Sequence, residues 1–147
     1  MILKEKLQSD MKGAMKAKDS LRLNTIRSVI SSIKNQEINL KKELQDEEIL
    51  ALIYQEAKKR KEAATLFEQG ERPDLMEKEK QELLILQTYL PEQASEEDLR
   101  KRIQEVIAET KAKGMKDFGK IMKILVPEFK GKTDNGLIKE LAGEYLN

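Results

Sequence analysis

The sequence predicts an all-α protein: an N-terminal bundle of about four helices over residues 1–92 and a small C-terminal three-helix domain over residues 93–147. Three observations lead to this prediction. Charged residues make up 37% of the chain and aromatic residues only 4%, which is typical of solvated helices held together by aliphatic side chains. Apolar residues recur at three- and four-residue spacing, and no segment alternates like a strand over a useful length. The pattern breaks near residues 91–95.

The first two helices are predicted from apolar stripes. Residues 2–16 carry Leu3, Leu7 and Met11 on one face, which predicts the first helix. Either Asp19 or Ser20 is a plausible N-cap for the second, because a short polar side chain can accept from the free N–H groups of the first turn. The second helix is expected to end at residue 39 or 40.

The next two helices are bounded by polar and helix-breaking residues. Asp46 is expected to begin the third, with acidic residues in its first turn where the helix dipole favours them. Gly70 is a natural stop, and Pro73, near the first helical position, restarts the chain. The fourth helix is expected to end at Tyr89-Leu90-Pro91.

The C-terminal domain begins with Ser95, followed three residues later by an acid, which approximates a capping box. The helix that follows is expected to end before Gly114. Asp117 is expected to cap a short helix that Pro127 cuts short. Thr133 or Asp134 is expected to cap the last helix.

The residue types exclude several kinds of chemistry. The chain contains no Cys and no His, so it has no thiol nucleophile, no disulfide and no imidazole base or metal ligand. Gly131-Lys132-Thr133 resembles the end of a phosphate-binding P-loop, but the pattern needs Gly at position 126, which is Val. No group of carboxylates has the spacing of a calcium loop. We therefore predict no catalytic residues, no metal site and no cofactor.

The net charge of +1 conceals three blocks of alternating sign. Residues 1–44 carry +5, residues 45–99 carry −8 and residues 100–147 carry +4. Such blocks allow a polyanion to bind one surface, although solvated helix faces also explain them. No apolar run approaches the ~20 residues needed to cross a bilayer, and the start of the chain does not resemble a signal peptide. The sequence therefore predicts a soluble, cytoplasmic protein.

The C-terminal lysines are the candidate binding residues. Three of them recur at spacings of four and three residues and are expected on one face of the short helix. A glycine turn with two further lysines leads into the last helix, where free N–H groups suit a phosphate, although Asp134 opposes an anion there. A capped turn with solvated lysines is the alternative. The candidate phosphate-binding residues are Lys116, Lys120, Lys123, Lys130, Gly131, Lys132 and Lys139.

Three arginines of the first domain lie near apolar stripes. They are Arg22, Arg27 and Arg60. Such arginines usually pair with acids on a neighbouring helix, here Asp10, Glu56 or Glu79, and direct contact with a ligand is the alternative.

Three segments together resemble the YqeY family, which is similar to the C-terminal tail of GatB, a component of the tRNA-dependent amidotransferase. They are LRLNTIRSVISSIKNQEI, YQEAKKRKEAATLFEQGERPDLMEKEKQELLILQTYLPEQASEEDL and GKIMKILVPEFKGKTDNGLIKELAGEYL. The resemblance covers nearly the whole chain, and its most specific parts lie at residues 89–99 and 119–136. It implies two helical subdomains joined near Pro91. The family's glycines and lysines fall on Gly119, Lys123, Gly131 and Gly136, and Lys132 stands where many relatives have Arg.

The resemblance implies a tRNA-facing module without its own chemistry. The family's general label is a carbon–nitrogen ligase with glutamine as amido-N-donor, and the absence of His and Cys gives that label no independent support. The leading hypothesis is a non-catalytic module that binds tRNA or another structured RNA through phosphate contacts. The alternatives are an accessory of amide transfer on aminoacyl-tRNA, acting with amidotransferase subunits, and a protein-interaction scaffold.

Overall fold

The structure, a computed structural model, describes residues 2–147 and is built from helices. The helices are α1 (Ile2–Lys16), α2 (Ser20–Leu40), α3 (Asp46–Gln69), α4 (Pro73–Gln87), α5 (Glu96–Thr110), α6 (Phe118–Glu128) and α7 (Asn135–Leu146), with a 3-10 turn at Met115–Asp117. Residues 2–147 contain no strand. The all-α prediction is confirmed, whereas the arrangement as a four-helix bundle followed by a three-helix domain stays a prediction.

The chain folds into two compact units, Met1–Leu90 and Pro91–Asn147. Each unit has a hydrophobic core of its own. In the first, α3 packs most extensively on α4, and α1 packs on α2. Its fully buried side chains come from all four helices and from the α2–α3 connection; the largest are Leu7, Ile26, Ile33, Leu44, Ile49, Ile53 and Leu86.

A carboxylate ties three segments of the first unit together. Glu37, on α2, accepts from Lys4 Nζ of α1 at 2.8 Å and from the backbone N–H of Leu44 at 2.9 Å. The hydrogen bond from Lys4, followed by the one from Leu44, lowers the pKa of Glu37. This contact holds the α2–α3 connection, and with it buried Leu44, against α1 and α2.

The second unit is a small helical core formed by α5, α6 and α7. Ile103, Ile121 and Ile138 are completely buried, one from each helix. Pro127 does not cut α6 short as predicted, because it lies one position before the last helical residue. A proline so near the end removes only one hydrogen bond, and Phe129 N–H still donates to Leu125 O at 3.0 Å.

The predicted helix starts at residues 2, 46 and 73, the cap at Asp19 and the cap at Ser95 agree with the structure. Asp19 Oδ1 accepts from Arg22 N–H at 3.1 Å, and Ser95 Oγ accepts from Asp98 N–H at 3.1 Å. The fourth helix, α4, ends at Gln87, before the predicted Tyr89-Leu90-Pro91, since a hydrogen-bonded turn of the 3-10 type follows it.

Four residues that follow helix ends adopt the left-handed conformation although none of them is glycine. They are Lys18, Lys41, Glu71 and Lys111, with φ between 55° and 57°. At Lys41 the backbone N–H donates to Glu37 O, so this conformation closes the last turn of α2.

Candidate nucleic-acid interface

Residues 111–139 form the most basic part of the chain. They carry eight lysines, no arginine and three carboxylates, Asp117, Glu128 and Asp134. The compact unit as a whole is neutral, since the N-terminal half of α5 and the residues before it are acidic. The positive charge is therefore concentrated in residues 111–139, which comprise the segment after α5, the 3-10 turn, α6, the α6–α7 connection and the first half of α7. We call residues 111–139 the lysine surface.

Each of the three carboxylates within the lysine surface already has a partner inside the unit. Asp117 Oδ2 accepts from Lys113 N–H at 2.7 Å. Glu128 is held by the guanidinium of Arg102 through two hydrogen bonds of 2.7 and 3.0 Å. Asp134 Oδ1 accepts from Gly136 N–H at 2.8 Å. Backbone N–H groups and an arginine make these contacts.

The predicted lysines are all exposed, and they come from four segments. They are Lys116, Lys120, Lys123, Lys130, Lys132 and Lys139. Within residues 2–147, five of these form no ion pair, Lys130 being the one with a further interaction. Lys120 and Lys123 lie three positions apart on α6, turned away from buried Ile121 and Leu125.

Lys116 is not on the short helix with Lys120 and Lys123, as the spacing suggested. It lies on the 3-10 turn, which winds more tightly than an α-helix and precedes α6. Asp117, predicted to cap this helix, occupies the N-cap position of α6, but its side chain accepts from the backbone N–H of Lys113 and not from the first turn of the helix. Because its carboxylate reaches back along the chain, it closes the turn around Gly114 and leaves the start of α6 uncapped by a side chain.

Gly131 lies in the α6–α7 connection, where the backbone demands it. Its φ of 75° is in the left-handed region, and its carbonyl accepts from Gln93 Nε2 at 2.8 Å. The neighbouring Lys132 carbonyl accepts from Ala94 N–H at 2.9 Å. These bonds join the connection to the segment before α5, so the glycine's place in the fold is explained without a ligand.

The start of α7 is already satisfied. Asp134 is the N-cap, and Leu137 N–H donates to the Asp134 carbonyl at 3.0 Å. The alternative raised from the sequence, a capped turn with solvated lysines, describes this helix start. A phosphate contact at the helix dipole is thereby disfavoured.

The arginines behave differently from the lysines. Arg102 binds Glu128 of α6, and Arg100 donates to Glu144 of α7 at 3.0 Å and lies near the ring of Tyr145. The hydrogen bond to the Tyr145 hydroxyl, followed by the one to Glu144, raises the pKa of Arg100, and the hydrogen bonds to Glu128 raise the pKa of Arg102. The arginines of this unit therefore hold helices together, whereas Lys116, Lys120, Lys123, Lys132 and Lys139 form no ion pair within residues 2–147.

In the first unit, Arg60 is paired as predicted, but with a different set of acids. Its guanidinium contacts Glu56 at 2.7 Å and Glu82 of α4 at 3.4 Å, and not Glu79. Arg22 lies 3.5 Å from Asp19, and Arg27 is exposed. Asp10 binds the hydroxyl of Tyr89 instead of an arginine.

Residues 2–147 contain no cluster of three or more Asp, Glu, His or Cys side chains placed to hold a metal ion. None of the helices in this part of the chain is long and apolar enough to span a membrane.

The comparison with known protein families identifies one that covers almost the whole chain. The family described as Yqey-like protein matches residues 4–146. The chain belongs to the YqeY family. The resemblance inferred from the sequence is thus confirmed, and the lysine surface lies wholly within the part of the chain that the family covers.

Curated relatives of this YqeY-family protein come from yeasts. Altered inheritance of mitochondria protein 41 from Vanderwaltozyma polyspora is 38% identical over 96% of this chain and 80% of its own length. The relative of the same name from Kluyveromyces lactis is 41% identical over 71% of this chain and 58% of its own length, and that from Lachancea thermotolerans is 37% identical over 71% and 58%. The chain thus spans less than two thirds of two of these relatives.

The prediction of a cytoplasmic protein is wrong by this comparison, because the names of these relatives describe mitochondrial proteins. The sequence features behind that prediction were the absence of a long apolar run and of a signal-peptide pattern. A long apolar run would indicate a membrane-spanning helix, and a signal-peptide pattern would indicate secretion. The lack of both features does not distinguish the cytoplasm from another aqueous compartment.

Proposed function

We propose that this YqeY-family protein binds tRNA or another structured RNA through the lysine surface, and that it does so without catalysing a reaction. The observation that carries the proposal concerns the charges in residues 111–139. Asp117 and Glu128 are held by a backbone N–H group and by Arg102, whereas five of the predicted lysines, Lys116, Lys120, Lys123, Lys132 and Lys139, are exposed and form no ion pair within residues 2–147. Unneutralised lysines release counterions from a nucleic acid on binding, and this release drives non-specific affinity.

Recognition through this surface would be dominated by phosphates. Lysine ammonium groups act as point charges on flexible stems, so they follow a backbone without selecting a planar geometry. Arginine, which would grip a phosphate with two parallel hydrogen bonds, is committed to Glu128 and Glu144 in this unit. Affinity is therefore expected to depend steeply on salt and only weakly on RNA sequence.

Two separate cores support treating the units as domains, 1–92 and 93–147, with a four-helix bundle followed by a three-helix domain. Tyr89 belongs to the first core, and Ala94 packs against the second. In this proposal the RNA-binding surface belongs to the second domain. The accessory role in amide transfer and the scaffold role have no observation of their own in the described residues.

The test is a titration of labelled total tRNA with the purified full chain across a salt series. The wild-type protein is compared with Lys120→Gln/Lys123→Gln and with a matched control, Lys78→Gln/Lys80→Gln, two exposed lysines of α4. Each lost phosphate contact lowers the log–log salt slope by about 0.7 to 0.9, so the first variant should lose about 1.5.

An unchanged slope in the α6 variant, or an equal loss in the α4 control, would contradict the assignment of the RNA surface to the second unit. Absence of binding even at low salt would contradict RNA binding as a whole and favour the scaffold role. The neutral substitutions keep the side-chain length near that of lysine, and both pairs lie on exposed helix faces, so altered folding is not expected to mimic the result.

A further inference from the structure

A groove of about 420 Å³ lies between the 3-10 turn and the outer face of α7. Met115, half-exposed, and Phe118 form its apolar wall, and Gly136, Lys139, Glu140 and Gly143 line it from α7. Lys116 follows Met115 directly in the chain. The groove was not predicted from the sequence, because it depends on how the turn before α6 lies against α7.

Gly143 leaves space in the groove but lowers the stability of α7, and neither a steric contact nor its backbone conformation requires glycine at this position. A glycine inside a helix destabilises it by about 0.5 to 1 kcal/mol relative to alanine. An added Cβ at Gly143 would meet nothing within 4 Å, and φ there is not in the left-handed region. Gly136 differs, since its added Cβ would lie 3.3 Å from Asp134 Oδ1 of the helix cap.

The charges around the groove favour a neutral ligand in it and an anion beside it. Glu140 and Glu144 border the groove, and Glu144 is bound by Arg100. A phosphate inside would face the Glu140 carboxylate, whereas a flat heterocycle with N–H groups could donate to it. Lys139, which lines the groove, and Lys116, which follows Met115 in the chain, would then be the candidate contacts to flanking phosphates of the same strand.

We infer that this groove receives one unstacked nucleobase of the RNA strand whose phosphates lie on the lysine surface. The inference rests on the proposed function and deepens it, because it predicts a preference for RNA with an unpaired base over a fully paired duplex. Met115 and Phe118 supply the apolar contact, the missing side chain at Gly143 supplies the room, and Glu140 accepts from the base edge. Unpaired bases in loops and bulges are accessible to such contacts, and paired ones are not.

The experiment measures the affinity of the full chain for a blunt RNA duplex and for the same duplex with one bulged adenosine. Contact of a base with an aromatic side chain predicts a preference of about tenfold for the bulged RNA in the wild type. Gly143→Leu fills the groove and should abolish the preference while duplex binding is retained. Gly13→Leu is the matched control, because Gly13 is also inside a helix with nothing within 4 Å of an added Cβ.

The outcomes separate the two proposals. Equal binding of both RNAs by the wild type, or a preference that survives Gly143→Leu, overturns the nucleobase groove and leaves the lysine surface intact. No binding of either RNA at low salt overturns the proposed function and this inference with it. If Gly143→Leu instead removes a self-association detected by sedimentation and leaves the RNA preference unchanged, the groove is an interface between copies of this chain. Thermal unfolding of both leucine variants verifies that they are folded.

Discussion

Tyr89 Oη donates a hydrogen bond of 2.5 Å to Asp10 Oδ2, joining the segment after α4 to α1 across 79 positions of the chain. The tyrosine is only 7% exposed, and Lys6 Nζ lies 5.2 Å from the centre of its ring. The ring of Tyr89 thus packs in the core of the first unit, and its hydroxyl binds Asp10 of α1. Tyr89 is the last buried residue of the first unit, and the second unit begins two positions later at Pro91.

Tyr89→Phe keeps the ring and removes only the hydroxyl. Because the acceptor is a carboxylate, we expect a loss of about 1 to 2 kcal/mol in the free energy of unfolding, measured by chemical denaturation near neutral pH. Tyr145→Phe is a useful comparison, since its hydroxyl accepts only a longer contact of 3.4 Å from Arg100. Equal losses in both variants would argue against the special strength of the Asp10 contact.

The same tyrosine predicts a pH dependence in the alkaline range. Burial, followed by the hydrogen bond and charge of Asp10, raises the pKa of Tyr89 above its ordinary value of 10.0. The unfolded chain therefore loses this proton at lower pH than the folded one, so the stabilisation is complete below pH 10 and declines as the pH rises above it. Denaturation at a series of alkaline pH values should give a steeper decline in the wild type than in Tyr89→Phe. Parallel curves would contradict this assignment.

The lowered pKa of Glu37 predicts that the stability of the protein decreases as the pH falls in the acid range. The pKa of Glu37 is lowered by Lys4 and by Leu44 N–H, so its contribution is present above the ordinary value of 4.5 and is lost as the pH falls through the lowered pKa of the folded state. Glu37→Gln should reduce stability at neutral pH and flatten the acid decline. The exposed Glu62, changed to Gln, is the control and should leave both unchanged. A control curve that matched the Glu37→Gln curve would refute the prediction.

The same glycine-to-alanine change should have opposite effects at two positions of the second unit. Gly131→Ala places a Cβ on a residue with φ of 75°, which costs about 1 to 2 kcal/mol. Gly143→Ala meets open space in a helix and should stabilise by about 0.5 to 1 kcal/mol. Thermal or chemical unfolding measures both. Destabilisation at residue 143 would mean that the open space there is needed by the fold itself.

Arg60 bridges α3 and α4 with its side chain only 15% exposed, between two carboxylates that are similarly enclosed. Arg60→Leu leaves Glu56 and Glu82 facing each other without the cation, and we expect a loss of about 2 kcal/mol. Arg72→Leu is the control, because its contact with Asp74 is exposed and such pairs contribute little. Chemical denaturation compares the two; a neutral Arg60→Leu would indicate that apolar packing replaces the ion pair.

Local signals predicted much of the helical structure. Asp19, Ser95 and Gly70 act within one turn of the chain, so their roles as helix boundaries can be read from neighbouring residues. The contacts Asp10–Tyr89 and Glu82–Arg60 join residues far apart in sequence, and no local pattern specifies which of many acids is the partner. The choice depends on how the helices pack.

In the candidate site, too, some features follow from the local sequence and others depend on how the helices pack. Exposure of Lys120 and Lys123 follows from the helical spacing of Ile121 and Leu125, so the sequence predicted it. The contact of Glu128 with Arg102, in contrast, depends on the packing of α5 against α6, which no local pattern in the sequence specifies. Gly131 looked like a ligand residue because of its lysine neighbours, whereas its φ and the bond from Gln93 give it a place in the turn.

The four left-handed residues that follow helices include candidate positions for stabilising substitutions. Lys18, Lys41, Glu71 and Lys111 each hold a conformation that glycine adopts with less strain, by about 1 kcal/mol at each position. Summed over the three of these positions that lie outside the lysine surface, the gain is about 3 kcal/mol, a sizeable part of the net stability of a small protein. Glycine substitutions at Lys18, Lys41 and Glu71, which lie outside the lysine surface, offer a route to a more heat-resistant variant.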